Sequence, residues 1–362
     1  MHLGWFKKAT VSDFLSLSAI EQIGPASWQK LYSAFPTIEK LLRATLVELR
    51  RAGLTDNQAH AFLDRPTATE KEEKLLKHHS IDIVTLEDSN YPGLLKEIND
   101  PPLWLFYRGD LNCLSKPTVT VVGSRKPSAY ALEALKLLFS ASFLSQVTTV
   151  SGLAYGVDKT IHQSSLAADG TTVAVLAGGL DAIYPVDHTH LASEIVERGG
   201  LLLSEYSPLD RPQPYKFPVR NRIVAGLSPA TVIIEAKIKS GTLTTAASAI
   251  DYNRDVFALP GDMTRETAAG GNLLIKRGAM LLDDPAQLLE YYGLSGVEEK
   301  VVAVDSAASA LLHLLTSRAL DLDEMVSATG QTVENLLGLV TELELSGLVY
   351  QPQPGRYQKT KN

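Results

Sequence analysis

The chain has one cysteine, Cys113, among its 362 residues, so no disulfide framework can form within it. Its eight histidines are scattered and never take zinc-ligand spacing, which leaves no structural metal to expect. No stretch approaches the ~18 consecutive apolar residues of a membrane span, and residues 1–10 lack the apolar core of a secretion signal. The expectation is a cytoplasmic protein with no membrane contact. Two nucleotide motifs are also missing. Without a Gly-x-x-x-x-Gly-Lys-Ser/Thr loop, P-loop ATP hydrolysis has no support, and without Gly-x-Gly-x-x-Gly nicotinamide binding has none, so no cofactor is expected. An excess of positive charge is lacking as well: 34 Lys and Arg stand against 41 Asp and Glu, for a net charge of -7. Any nucleic-acid function must therefore come from a local field.

Such a field is present. Between Arg211 and Lys239 there are six Lys or Arg and one acid, Glu235. Within it, Tyr215 and Phe217 lead into Arg220, Asn221 and Arg222, where a proline loop turns into a helix. Solvated faces usually mix both signs of charge, so this stretch reads as a grip on nucleic-acid backbone. Arg220 and Arg222 are expected to hold phosphates, Lys216 and Lys237 to add field, and Phe217 to stack a base.

The hydrophobic share of 45% supports a large core and two or three domains. Residues 1–68 carry apolar positions at helical spacing around Gly24 and Pro25, a pattern that resembles a helix-hairpin-helix or SAM-like module. Residues 69–115 read as a charged helix, a linker and two strands. From 116 to 293 short apolar strands alternate with helices, the mark of a Rossmann-like parallel sheet covered on both faces. The strands are placed at 119–122, 147–150, 172–176, 201–203, 231–234, 256–259 and 280–282. A linker at 294–306 leads to 307–362, three helices and a two-stranded wing. The fold class is thus α/β, with a helical module before the sheet domain and a winged helix after it.

Ligands of open parallel sheets bind beyond the carboxyl ends of the strands. There, Gly123, Ser124 and Arg125 close a strand just before a helix that starts near Ser128, and such a turn suits an anion. A second loop runs from Ser151 and Gly152 to Asp158, with His162 four residues on. These two are expected to share a structural i,i+4 hydrogen bond rather than to act as acid and base. A third loop places Ser240, Gly241 and Thr242 as cap and donors at the next helix. Several loops on one edge suggest several phosphates in a row, and aromatic faces beside them favour a single strand over a duplex. Neither a catalytic nor a metal-binding residue is assigned.

Taken together, these motifs resemble the DNA-processing protein A (DprA/Smf) family. The resemblance rests on Gly123-Ser124-Arg125, on Ser151-Gly152-Leu153-Ala154 with Asp158 and His162, and on Tyr184-Pro185 and Ser204-Glu205-Tyr206. It continues through Phe217-Pro218-Val219-Arg220-Asn221-Arg222, Glu235-Ala236 with Ser240-Gly241, and Pro260-Gly261, over roughly residues 80 to 290. It implies a bacterial cytoplasmic protein, homodimeric through the sheet domain. Such a protein binds incoming single-stranded DNA in natural transformation, shields it and helps load the RecA recombinase. Phosphate-binding roles carry over to Gly123, Ser124, Arg125 and the Arg220-Asn221-Arg222 segment.

Two further expectations concern the flanks and a rival. The third helix of the winged module, 332–345, holds Glu334, Glu342 and Glu344 and no Lys or Arg, which is wrong for a helix among phosphates. The alternative function is a nucleotide-processing hydrolase with a related core, in which Asp158, Asp181, Glu205 and Glu235 serve as acid/base groups.

Overall fold

The computed structural model describes residues 4–294, 306–345 and 348–360. Two compact units divide the chain, Met1–Gly296 and Val297–Asn362.

The first unit opens with short helices whose limits are written locally. Thr10, Thr45, Thr55 and Thr69 each accept a hydrogen bond from the backbone three residues on, and Asp13, Glu48, Gln58 and Glu72 reach back in return. Each such box satisfies amides that the first helical turn leaves without partners. The helices Val11–Ser18 and Pro25–Ala34 flank Gly24 as the spacing predicts. Their apolar faces do not form a core of their own. Phe14 and Trp28 pack on Trp104 of the sheet, with ring centroids 5.7 and 5.0 Å apart, and one hydrophobic cluster runs from Trp5 to Leu274. Burial therefore continues across the expected boundary at residue 68.

Nine strands form the sheet: β1 Asp82–Thr85, β2 Trp104–Gly109, β3 Thr118–Gly123, β4 Thr148–Ser151, β5 Thr171–Val175, β6 Leu201–Ser204, β7 Ala230–Ile234, β8 Asp255–Ala258 and β9 Met280–Leu281. Their order is β1-β2-β6-β5-β4-β3-β7-β8-β9. The strands from β3 to β9 are parallel, whereas β1 and β2 add an antiparallel edge beside β6. Every residue of β4, β6 and β7 is buried, as strands covered on both faces require. Side chains alternate between the two faces: Val119, Val121, Val232 and Ile234 join one core cluster, and Val122 and Ile233 the other.

The chain lays β4, β5 and β6 to one side of β3 and then returns to place β7 on the other. That reversal opens a crevice at the carboxyl ends of β3 and β7. The helix Lys216–Gly226 crosses beside it. Threonines in β3 fasten its far end, since Thr118 and Thr120 donate to the carbonyls of Leu227 and Val224 at 2.8 and 2.7 Å.

The second unit contains the helices Ser306–Ser317, Leu322–Thr329 and Val333–Leu345 and the antiparallel pair Val349–Gln353 and Arg356–Lys359, the winged-helix arrangement. It has a core of its own, built on Leu311, Leu315, Met325, Leu336 and Val340. Among the described residues, no helix is long and apolar enough to cross a membrane.

Candidate nucleic-acid interface

The crevice is shaped by glycines that admit no side chain. A Cβ on Gly123 would meet the Ile234 carbonyl oxygen at 2.0 Å, so β3 and β7 stay in register only with glycine here. Gly156, at φ 76°, brings the β4 loop onto the β3 loop, where a Cβ would lie 2.3 Å from the Ser124 carbonyl oxygen. Glu235 adopts φ 59° directly after β7, a region costly for residues with a side chain and common at functional sites. Its carboxylate holds the turn by accepting the Ser128 amide at 2.8 Å and the Thr267 hydroxyl at 2.7 Å.

Of the β3 loop residues, Ser124 accepts the Lys126 amide on its hydroxyl at 3.1 Å. Arg125 is exposed and makes no ion pair among the described residues. Its guanidinium lies 5.4 Å from the centroid of Phe217, and Phe217 meets Tyr184 edge to face at 5.9 Å. A cation and a ring from two loops and a half-buried ring from the first turn of the Lys216–Gly226 helix thus form one ladder. Lys126, Lys237 and Lys239 are exposed at the same strand ends, with Lys237 paired to Glu266 at 2.7 Å. At the head of the helix Gly241–Asp251, Ser240 occupies the cap position without capping, and its hydroxyl has no partner among the described residues. Thr242 donates to the Gly123 carbonyl at 3.1 Å, which ties the β7 loop to the β3 loop.

The basic segment behaves differently from its sequence reading. Lys216, Arg220 and Arg222 are buried. Lys216 Nζ donates to Asp210 at 2.5 Å and lies near the rings of Tyr206 and Tyr215. Arg220 donates to the carbonyls of Gly152, at 2.7 Å, and Val175, and packs so closely that a Cβ on Gly152 would meet its Nη2 at 2.6 Å. Burial lowers the Arg220 guanidinium to about 10, with Asp158 acting against that shift. Burial also works to lower Arg222, but the carboxylates of Glu205 and Asp100 more than offset it and raise its pKa. Asn221 donates to the Gly241 carbonyl at 3.1 Å and the Thr244 hydroxyl at 3.0 Å. These residues bind the strand-end loops together: Arg220 and Arg222, expected to hold phosphates, and Lys216, expected to add field, are turned inward onto protein partners. The physical reason is that Arg220 and Arg222 found carbonyls or carboxylates on other loops, and Lys216 found Asp210 and the Arg211 carbonyl in the segment leading into its own helix.

Asp158 and His162 do not bond to each other, contrary to the expected pair. Asp158 accepts the amides of Gly152 and Ala154 at 3.1 and 3.3 Å, and its pKa is raised by burial. His162 pairs with the Thr172 hydroxyl at 2.7 Å, and burial lowers its pKa to about 3. Position two of a helix lets a short carboxylate reach back into its own loop, which is why local geometry won over the i,i+4 partner. Tyr184 entered the sequence reading only within the Tyr184-Pro185 motif and Lys126 not at all, and it is folding that sets Tyr184 beside Phe217.

A Rossmann-like parallel sheet whose basic and aromatic groups gather at its strand ends, carried with a winged helix, defines the class. Residues 82–293 match the model of DNA recombination-mediator protein A, and residues 298–355 match that of the DprA winged helix domain. The chain belongs to the DNA-processing protein A (DprA/Smf) family. It is 33% identical to Protein Smf of Escherichia coli over 99% of this chain and 95% of that one. Among solved structures it is similar to DNA processing protein A of Streptococcus pneumoniae, with 29% identity, a TM-score of 0.64 and coverage of 76% of this chain and 97% of that one. It is also similar to DNA processing protein A of Helicobacter pylori, described for its single-stranded DNA binding mode, at 30% identity, a TM-score of 0.52 and coverage of 59% and 96%.

Proposed function

We propose that the chain is a non-enzymatic recombination mediator that holds single-stranded DNA along the carboxyl ends of β3, β4 and β7. One observation carries this reading: the exposed Arg125 guanidinium rests against Phe217 and makes no ion pair among the described residues. A single strand offers it both a phosphate and a base. Lys126, Lys237 and Lys239 extend the field. Gly123, Ser124, Gly152, Ser240, Gly241 and Thr242 shape the backbone that approaches the strand, while Arg220, Asn221 and Arg222 hold the loops in place. Family membership and the single-strand binding mode named for the Helicobacter relative support the same reading. Within it, the protein works in the cytoplasm as a homodimer joined through the sheet domain. It shields incoming DNA in natural transformation and helps load a RecA-type recombinase.

The hydrolase alternative meets spent carboxylates. Glu205 is engaged by Arg222, Glu235 by Ser128 and Thr267, and Asp158 by two amides. Release of base or phosphate from nucleoside monophosphates by the wild-type chain would restore it.

The test is a salt-series titration with single strands of several sequences. Arg125→Ala is expected to weaken binding to all of them alike and to flatten the log K against log salt slope by about 0.7. Affinity and slope unchanged in both Arg125→Ala and Lys239→Ala would overturn the site.

A further inference from the structure

The helix Ala129–Leu138 opens directly after the β3 loop, and its cap is assembled from distant parts of the chain. Ser128 is the cap residue and accepts the Ala131 amide on its hydroxyl at 3.2 Å. In the boxes at Thr10, Thr45, Thr55 and Thr69, the third helical residue is an acid or a glutamine that takes the cap residue's own amide. Here the third residue is Ala131, which has no acceptor to offer. Glu235, 107 residues further on, supplies one instead and takes the Ser128 amide on Oε2 at 2.8 Å. Its other oxygen takes the Thr267 hydroxyl at 2.7 Å. One buried carboxylate thus joins the loops that follow β3, β7 and β8. The near end of the β3 loop is tied to β7 as well, since the Ser124 amide donates to the Ile234 carbonyl at 3.4 Å. Between these two ties stand the exposed Arg125 and Lys126.

The arrangement is costly. Glu235 is 6% exposed, holds φ 59° and makes no ion pair among the described residues, and both the left-handed backbone and the buried carboxylate oppose folding. Its negative charge beneath a phosphate track also opposes an anionic ligand. A local box would cap the helix without these costs. What the distant carboxylate adds is a fixed position for the Arg125 loop against the ends of β7 and β8. We propose that Glu235 is a positioning residue for strand binding, acting through Arg125 by holding the β3 loop where that guanidinium meets both Phe217 and a phosphate. This inference rests on the proposed function. The charge of Glu235 and its hydrogen bonds act on a bound strand with opposite sign, and that opposition makes the role measurable.

Titration of the full chain with a single strand of thymidine nucleotides across a salt series is the test. Glu235→Ala removes the charge and both bonds, so a carboxylate that merely lies nearby would leave tighter binding behind. The positioning role predicts the reverse: affinity falls by about tenfold, the scale of one lost hydrogen bond to a charged group, and the log K against log salt slope flattens by up to about 0.7. Glu235→Gln should recover the loss, because its carbonyl can accept the Ser128 amide while its amide donates to the Thr267 hydroxyl. Thr267→Val, which removes one bond and keeps the other, should weaken binding less than Glu235→Ala. In the Arg125→Ala background, Glu235→Ala should change the slope no further. Wild-type or tighter binding by Glu235→Ala, or additive losses in the double variant, would overturn the positioning role and leave the proposed function standing. If Glu235→Ala does not fold, unchanged affinity in Thr267→Val is the overturning result. Affinity and slope unchanged in Arg125→Ala as well as in Lys239→Ala would instead overturn the proposed function, and the positioning role with it.

Discussion

Arg222 Nη2 donates to both carboxylate oxygens of Glu205, at 2.5 and 2.6 Å, while its Nη1 donates to the Asp100 carbonyl at 2.6 Å. The pair fastens the Lys216–Gly226 helix to the end of β6 and to the linker before β2. Arg222 is buried and Glu205 keeps only 17% of its side chain exposed, so removing one leaves a charge uncompensated in a largely buried place. Arg222→Ala and Glu205→Ala are each expected to cost about 3–5 kcal/mol of stability, read from the urea midpoint at constant slope. An unchanged midpoint in both would mean the pair holds nothing.

Phe217→Ala removes a stacking face and no charge. Single-strand affinity should fall by the equivalent of about 1–3 kcal/mol for one base, with the salt slope preserved. Lys216→Met should also preserve the slope, because its ammonium is already neutralised by Asp210. A flattened slope in Lys216→Met would return that lysine to the phosphate-binding set.

His162 makes stability depend on acid. Its folded pKa, about 3, lies below the ordinary 6.5, so the unfolded chain takes up a proton that the fold refuses. Its contribution is fully present above the unfolded pKa and is lost as pH falls from there toward the folded value, at up to about 1.4 kcal/mol per pH unit. Asp158, raised by burial, titrates in the opposite sense, so the effect is read as a difference between the wild type and His162→Gln. The variant should show a shallower loss of stability between about pH 6.5 and 3. Identical acid limbs would show that His162 is not held neutral.

The Val333–Leu345 helix of the second unit carries Glu334, Glu342 and Glu344 without a basic residue, and Arg356 in the wing is paired to Glu324 at 2.6 Å. The 300–362 fragment is expected to bind duplex DNA no more tightly than about 10⁻⁶ M at physiological salt. Tighter, salt-sensitive binding in a fluorescence titration would make the module a duplex reader.

The seven parallel strands were legible because each is a short apolar run, most of them soon followed by glycine or a small polar residue, and the helix start near Ser128 because a serine stands at the cap position. Local chemistry dictates such features, and a single sequence is enough to state them. The packing of the N-terminal helices on the sheet was not legible. Phe14 and Trp28 look like the core of a small helical domain until Trp104 is beside them. Composition likewise determined that basic charge and aromatics concentrate between Arg211 and Lys239. Which of those charges face a ligand was decided only by tertiary structure. A guanidinium or ammonium is buried when carboxylates and carbonyls from other segments surround it, as Glu205, Asp210 and the Gly152 carbonyl do for Arg222, Lys216 and Arg220. Arg125 found an aromatic face and, among the described residues, no acid, and so remained outside.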